Sequence, residues 1–168
     1  MAWDIDPKTG KFTYVKKQRK PGGRYGIKRR GGYTSIAAPG RTFDSNWEQR
    51  LFTEYLMIRQ AAGEIKNLRH HPKRVYLTDA RIGWDVDYSW ELPDGTPEWG
   101  EGKGFVTPDY LLKKRLWPYY GPGNLYVYTM PGTRAGKGEL VTFGSLTFHV
   151  ETIRLKTSGG SLGYAAGR

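Results

Sequence analysis

The sequence predicts a mixed α+β domain built around one β-sheet. Helical and strand patterns follow one another in the order helix, strands, helix, strands, which is typical of this fold class. The strongest turn signal, Asp94–Gly95, lies between two strand-like runs and predicts a hairpin in the middle of the chain. With 168 residues, the chain is long enough for one domain with a real core and short extensions.

Charge is distributed unevenly and divides the chain into three segments. Residues 1–41 carry eleven Lys or Arg and two Asp, a net charge of +9, whereas residues 42–130 are close to neutral. We therefore distinguish a basic N-terminal extension (1–41), a core (42–130) and a C-terminal β-hairpin with a flexible tail (131–168). No apolar run approaches the roughly 20 residues that span a bilayer, so we expect no membrane association. The absence of Cys suits a reducing cytoplasm.

The basic extension alternates Gly, Lys or Arg, and Tyr, a composition that cannot bury enough apolar surface to fold alone. The phosphates of a nucleic acid are its favoured ligand. The alternatives are a solubilising tail or an anchor on ribosomal RNA or acidic lipid. A short hairpin is predicted where Phe12, Tyr14 and Val15 alternate after Thr9–Gly10. The candidate DNA-binding residues in this extension are Lys16, Lys17, Arg19, Lys20, Arg24, Lys28, Arg29 and Arg30.

The clearest helix spans residues 44–62. Ser45 followed by Glu48 fits the S-x-x-E capping box, and Gly63 provides a C-terminal stop. One face carries apolar residues at helical spacing, namely Leu51, Phe52, Tyr55 and Leu56. Glu48 lies on the inward side, yet spacing alone favours a role in closing the capping box.

Residues 64–77 predict an edge strand, a break at Pro72 and a second strand. His70 and His71 are adjacent, so on a strand they should point to opposite faces and cannot form a paired metal site. His149 is isolated, and no helical His-x-x-x-His spacing typical of zinc sites is present. Each histidine is therefore expected to be solvated or hydrogen-bonded.

A second helix begins at Thr107, where a cap residue is followed by a first-position proline and an acidic first turn. Pro118 should end or kink it. Its buried side is predicted to comprise Tyr110, Leu111 and Trp117. Its outward side should carry three further candidates for DNA binding, Lys113, Lys114 and Arg115.

Three strands are predicted after this helix, at residues 124–130, 139–143 and 146–155. Residues 131–138 should form a loop, and Gly144–Ser145 is a two-residue hairpin signal. The tail begins at residue 157.

Asp87, Glu101 and Lys103 flank the central turn. Simple hairpin pairing sets Asp87 opposite residue 102, and a shift of one residue brings it beside Glu101 or Lys103 on one face. Two carboxylates at that distance repel unless a cation lies between them, and Mg²⁺ is the natural one because it prefers oxygen ligands. The alternative is a surface ion pair, since Asp followed by Glu-x-Lys is frequent by chance.

These three residues together with a bound metal ion would be sufficient for phosphodiester hydrolysis without a covalent intermediate. Lys103 can hold or deprotonate the attacking water, or stabilise the charge of the phosphorane. A bound metal polarises the phosphoryl oxygen and lowers the pKa of its water.

Asp87 followed by Glu101-x-Lys103 resembles the PD-(D/E)XK nuclease motif. More closely, the chain resembles small phage nucleases related to phage endonuclease I, the Holliday junction resolvase. The similarity covers roughly residues 24–130, in order and with compatible spacing. It is carried by RYGIKR from Arg24, RTFDSNWEQRLFTEYL from Arg41, QAAGEIKNLRHHPK from Gln60, WDVDY from Trp84, EGKG from Glu101 and TPDYLLKKRLW from Thr107.

The resemblance implies a restriction-endonuclease-like core, in which two helices flank a central mixed sheet. It implies catalytic roles for Glu48, Asp87, Glu101 and Lys103. The implied metal ligands are Asp87, Glu101, Glu48 and the backbone carbonyl of Gly102. Glu48 matches a glutamate on a helix in this family, which favours the site over capping alone, although the two roles are compatible.

Two positions depart from the family pattern. Val86 precedes Asp87 where a proline is usual, and His71 stands where Gln is common. These departures leave the acidic residues intact and bear on substrate preference.

The function that the resemblance implies is a Mg²⁺-dependent phage-type endodeoxyribonuclease that acts on branched or distorted DNA, with Mn²⁺ able to substitute. It also implies a homodimer, action in the host cytoplasm or association with the virion, and virion proteins as further partners. A DNA-binding structural or packaging protein of a virion that keeps a nuclease fold is the alternative. An RNA-binding or ribosome-associated protein explains the charge but not the acidic residues.

Overall fold

The computed structural model describes residues 3–5, 12–14, 32–133 and 138–156. The chain divides into two compact units, residues 1–31 and residues 32–168. The predicted tail and residues 134–137 of the predicted loop at 131–138 lie outside the described residues.

The first unit contains a short antiparallel hairpin. Strand β1 (Trp3–Ile5) pairs with strand β2 (Phe12–Tyr14), and Trp3 lies opposite Tyr14. The predicted short hairpin is confirmed by this pairing, while Thr9 and Gly10 lie outside the described residues.

The second unit is organised around a six-stranded mixed sheet, so the predicted α+β class is confirmed. The strands of this unit are β3 (Tyr33–Ser35), β4 (Ala38–Phe43), β5 (Lys66–His70), β6 (Val75–Tyr76), β7 (Gly83–Trp84), β8 (Tyr88–Glu91), β9 (Pro97–Lys103), β10 (Asn124–Thr129), β11 (Glu139–Phe143) and β12 (Leu146–Ile153). The large sheet has the order β11-β12-β10-β9-β8-β5. Only β9 and β10 run parallel within it. The pairs β3–β4 and β6–β7 form two small sheets.

The first helical stretch runs from Asn46 to Ala61, as α1 (Asn46–Leu51), a π-helical turn (Phe52–Leu56) and α2 (Met57–Ala61). The Ser45 hydroxyl accepts the Glu48 amide at 3.1 Å, which confirms the predicted cap. Gly63 follows with φ +76°, the left-handed conformation that ends helices. The π turn was not predicted, because one wide turn leaves no distinct sequence pattern.

The second helix, α3 (Pro108–Tyr120), has Thr107 as its N-cap, as predicted. It ends two residues beyond Pro118, so this proline neither breaks nor ends it at once. Tyr110 and Trp117 are buried, but the prediction for Leu111 is wrong because that side chain is exposed. Tyr110 and Trp117 lie on the face of α3 that packs on the sheet, whereas Leu111 points away from the sheet. Within the described residues, no helix is long and apolar enough to cross a membrane.

The core consists of two clusters, one on each face of the large sheet. Phe52 of the π turn packs with Tyr128, whereas Trp117 of α3 packs with Val127. Tyr128 and Val127 are neighbours on β10, so their side chains point to opposite faces. The sheet is therefore covered by the first helical stretch on one side and by α3 on the other.

The C-terminal hairpin is part of the central sheet. Phe143 lies opposite Leu146, which confirms the two-residue turn, and β12 pairs with β10 from Leu125–Ile153 to Thr129–His149. The strands at 33–43 likewise belong with the larger unit, although charge alone grouped residues up to 41 with the basic extension.

The buried indole of Trp117 provides a test of the packing beneath α3. Trp117 contacts the rings of Trp84 and Trp99, and its Nε1 donates to the Gly123 carbonyl at 2.7 Å. We expect Trp117→Ala to lower the free energy of unfolding by about 3–5 kcal/mol. The control Tyr119→Ala, at a position 60% exposed on the same helix, should change it by less than about 1 kcal/mol. Urea unfolding followed by circular dichroism measures both, and equal losses would contradict this packing.

Candidate functional site

The hairpin predicted around Asp94–Gly95 is confirmed as β8 and β9. Its last ladder pair is Tyr88 with Gly100. This register differs by one residue from simple pairing about the turn, and its continuation brings Asp87 level with Glu101.

Asp87 lies just before β8, where the hairpin ladder ends. The Gly102 amide donates to Asp87 Oδ2 at 2.8 Å, so the carboxylate accepts the amide that would continue the ladder. A methyl group placed on Gly102 would lie 3.5 Å from this oxygen and 3.5 Å from Trp47 Nε1. Glycine here therefore leaves space between the carboxylate and the Trp47 indole. The role of the Gly102 carbonyl as a metal ligand stays a prediction.

Glu101 is buried, with 4% of its surface exposed. Lys103 Nζ donates to Glu101 Oε1 at 3.0 Å and lies 4.8 Å from the centroid of the Tyr110 ring on α3. Glu101 Oε2 and the Nε1 atom of Trp47 are buried without a hydrogen bond of ordinary geometry to the described residues. Buried polar atoms of this kind call for an explanation, and a bound cation would supply one for Oε2.

Burial raises the pKa of Asp87 well above its ordinary value, and the charges of Glu101 and Glu48 raise it further. The positive charge of Lys103 lowers this pKa and offsets part of the rise. Burial also raises the pKa of Glu101, where Lys103, the Asp87 amide and the Trp84 indole partly offset it. Burial thus disfavours the ionised form of both groups, and for Asp87 the charges of Glu101 and Glu48 add to this effect. A divalent cation would stabilise both carboxylates together, and an oxygen donor set fits Mg²⁺ or Mn²⁺.

Glu48 is buried on α1, and its two carboxylate oxygens have different partners. Oε2 accepts the Asp44 amide at 2.9 Å, next to the N-cap. Oε1 lies 2.6 Å from His70 Nε2 and 3.1 Å from His71 Nε2. The Tyr88 hydroxyl donates to the Glu48 backbone carbonyl at 2.9 Å, which ties α1 to β8. Glu48 therefore serves the helix end with one oxygen and faces the histidines with the other.

The prediction that His70 and His71 point to opposite faces is wrong. Strand β5 ends at His70, and His71 has φ +49°, so strand alternation does not extend to it. The His71 amide donates to the Asp87 carbonyl at 2.8 Å. The two imidazoles stack with centroids 3.8 Å apart and planes at 26°, and both Nε2 atoms approach Glu48.

The predicted DNA-binding residues fall into two groups. Those of the N-terminal extension, Lys16, Lys17, Arg19, Lys20, Arg24, Lys28, Arg29 and Arg30, lie outside the described residues. On α3, Lys113 pairs with Asp109 at 2.7 Å and Lys114 with Glu151 at 2.5 Å. The expectation that both point outward is wrong, because these carboxylates hold them half-buried, whereas Arg115 is exposed as predicted.

Two aromatic residues of the site were not predicted as part of it. Trp47 lies beside Gly102, and Tyr110 lies beneath Lys103. Both stand in the first turn of a helix, Trp47 directly before Glu48. An aromatic residue next to a candidate acid on a capped helix is the signal that could have indicated Trp47.

The Asp87 carboxyl leads to a prediction on stability and pH. Because its pKa is raised on folding, the folded chain binds more protons than the unfolded chain between the two pKa values, and stability falls as pH rises through that window. Asp87→Asn keeps an acceptor for the Gly102 amide but does not ionise. In EDTA, we expect it to raise Tm above wild type by an amount that grows as pH rises above about 4, the ordinary pKa of Asp.

The matched control is Asp94→Asn in the exposed turn. The Thr96 amide lowers the pKa of Asp94, so ionisation there favours folding and this variant should gain nothing as pH rises. Thermal unfolding across the pH series measures both variants. A pH-independent difference between Asp87→Asn and wild type would contradict the burial of this charge.

Comparisons of the chain with protein-family models, with curated proteins and with solved structures find no match. What the site does must therefore be inferred from its own residues.

Proposed function

We propose that the chain is a metal-dependent endodeoxyribonuclease of the PD-(D/E)XK type, with a restriction-endonuclease-like core. One observation carries the proposal: Asp87 and Glu101 meet where a β-hairpin ends, both with raised pKa values, and Lys103 contacts Glu101 at 3.0 Å. Carboxyl groups with perturbed pKa values beside a cationic side chain are typical of catalytic sites. A mixed sheet between two helical layers is compatible with this core.

Asp87 and Glu101 are the residues that would hold Mg²⁺, or Mn²⁺ in its place. The Gly102 carbonyl and Glu48 are the further ligands that the resemblance implies. When bound, the ion polarises the phosphoryl oxygen of the scissile bond and lowers the pKa of a water ligand. Its charge also relieves the repulsion between the two carboxylates.

Lys103 has its own part in the proposed reaction. Its ammonium is held between Glu101 Oε1 and the Tyr110 ring, which limits its freedom of movement. From this position it orients or deprotonates the attacking water, or stabilises the negative charge that develops on the phosphorane. Deprotonation of the water requires the neutral amine, whereas the ammonium can orient the water or stabilise the phosphorane, so a pH–rate profile distinguishes the base from the other two roles.

The substrate that we propose is branched or distorted DNA, recognised by its shape and its phosphates more than by its base edges. The basic residues of the extension, together with Arg115 and the half-buried Lys113 and Lys114, would contact phosphates. Symmetric cleavage of two strands needs two sites, which favours a homodimer. The proposed location is the host cytoplasm or the virion.

A cleavage panel tests this function. Wild type with Mg²⁺ or Mn²⁺ is expected to cut at least one of four-way junction, flap, single-stranded and duplex DNA, and EDTA should stop the reaction. Glu101→Gln and Lys103→Met should each lower the rate by about 10²-fold or more while DNA binding persists. Gel analysis of labelled strands measures cleavage, and fluorescence anisotropy measures binding.

Matched controls are Glu64→Gln, just before β5, and Lys66→Met, at the first residue of β5; both positions are exposed, and both variants should cut at the wild-type rate. If the control variants lose as much activity as Glu101→Gln and Lys103→Met, the loss results from the change in net charge and not from the proposed site. If wild type binds DNA but leaves the whole panel uncut with both metals, the nuclease proposal is wrong. The chain would then act as a DNA-binding structural or packaging protein.

The basic extension gives a separate prediction on the salt dependence of DNA binding. Replacing Lys28, Arg29 and Arg30 together by Gln should reduce the slope of log affinity against log salt by up to about 2.7, since each lost phosphate contact accounts for about 0.9. A control of equal charge change replaces three exposed residues of the larger unit, Lys66, Arg69 and Arg154. An equal reduction in both variants would show that net charge, not the extension, governs binding.

A further inference from the structure

We propose that Glu48, His70 and His71 form a second metal site, one that takes Zn²⁺ or a similar transition-metal ion. One ligand atom from each of these three side chains lies within 4.8 Å of the other two. The Nε2 atoms of the two histidines are 2.6 Å and 3.1 Å from Glu48 Oε1. Tetrahedral Zn²⁺, with bonds of about 2.0–2.1 Å, sets its ligand atoms roughly 3.3 Å apart. Small side-chain movements therefore suffice to admit the ion.

The Glu48 carboxylate is already oriented for this role. The Asp44 amide holds Oε2 at 2.9 Å, and the Ser45 hydroxyl holds the Glu48 amide at 3.1 Å. These contacts leave Oε1 as the oxygen that faces the histidines. Hydrogen bonds that orient a ligand from behind are a regular feature of protein metal sites.

The backbone of His71 is the second feature that gathers the ligands. A φ of +49° is rare and unfavourable for a residue other than glycine, and here the bond from the His71 amide to the Asp87 carbonyl supports it. Strand alternation would have turned the His71 ring away from His70. The left-handed turn instead stacks the rings and directs both Nε2 atoms at one oxygen.

The contacts to Glu48 also indicate what a metal would replace. For both imidazoles to approach one carboxylate oxygen favourably, each Nε2 has to carry a proton. A metal ion takes the place of these protons and binds the nitrogen lone pairs and the carboxylate together. Imidazole is a good ligand for Zn²⁺, Cu²⁺, Ni²⁺ and Fe²⁺, whereas Mg²⁺ prefers oxygen. The site therefore differs in metal preference from the Asp87–Glu101 pair.

Burial of the two histidines gives the site a fixed side and an open side. The His70 side chain is 5% exposed and packs against Phe43 and Phe52, with ring centroids 4.5 Å and 5.6 Å away. The His71 side chain is 49% exposed. An ion can therefore enter past His71 and keep a water molecule as its fourth ligand.

Co²⁺, which reports the coordination of a zinc site by its visible absorption, tests the proposal on the metal-free full-length chain. Wild type should bind one Co²⁺ with intense absorption, and Zn²⁺ but not excess Mg²⁺ should remove the signal. His71→Ala, at an exposed position, should weaken Co²⁺ binding by about 100-fold or more, because even losses of outer hydrogen-bond partners lower metal affinity 10–100-fold. The control His149→Ala, on β12, should leave the absorption unchanged.

Glu48→Gln is a second variant, nearly isosteric, which should lose the absorption while circular dichroism shows an intact fold. An unchanged Co²⁺ signal in His71→Ala would overturn the proposal. Loss of the signal in Glu101→Gln would also overturn it, because the ion would then lie at the other carboxylate pair. The site does not rest on the proposed nuclease activity: a wild type that never cuts DNA but gives this absorption would reject the nuclease and retain the metal site.

Discussion

The burial of three carboxylates where the β8–β9 hairpin ends is the constraint on which the rest of the site depends. Glu48 and Glu101 are almost fully buried, and Asp87 is half-buried beside them. A carboxylate taken out of water is destabilised unless hydrogen bonds or cations replace the lost hydration. Each of the three has a different kind of partner, and these partners account for the local conformation of the surrounding segments.

The partners lie on β9 and at the end of β5, so the site joins parts of the chain that are distant in sequence. Glu101 has the Lys103 ammonium from its own strand, and Asp87 has the Gly102 amide. Glu48 has two imidazoles from the end of β5. The Glu48 charge in turn raises the pKa of Asp87. A cation bound at either carboxylate group would therefore affect the other, because the groups already interact through their charges.

Local sequence signals predicted the elements that carry the site, because each signal lies within a few residues of the structure it specifies. The Ser45–Glu48 capping box, the Asp94–Gly95 turn and the Thr107 cap are of this kind. Features that depend on contacts between distant segments were not predictable. The left-handed turn at His71 is supported by a bond to the Asp87 carbonyl, and no pattern around a single histidine encodes it. The place of the C-terminal hairpin beside β10 also depends on distant strands.

Glycine on β9 shows how packing and chemistry meet in one strand. A methyl group on Gly100 would lie 2.7 Å from the Trp90 ring, so this glycine is required by the aromatic side chain that covers it. At Gly102 the same methyl group would have 3.5 Å to Asp87 and Trp47, an ordinary contact, yet a larger side chain would enter the space between them. In the sequence Gly-Glu-Gly-Lys, Gly100 must therefore stay small, whereas Gly102 leaves a space that a side chain larger than alanine would fill.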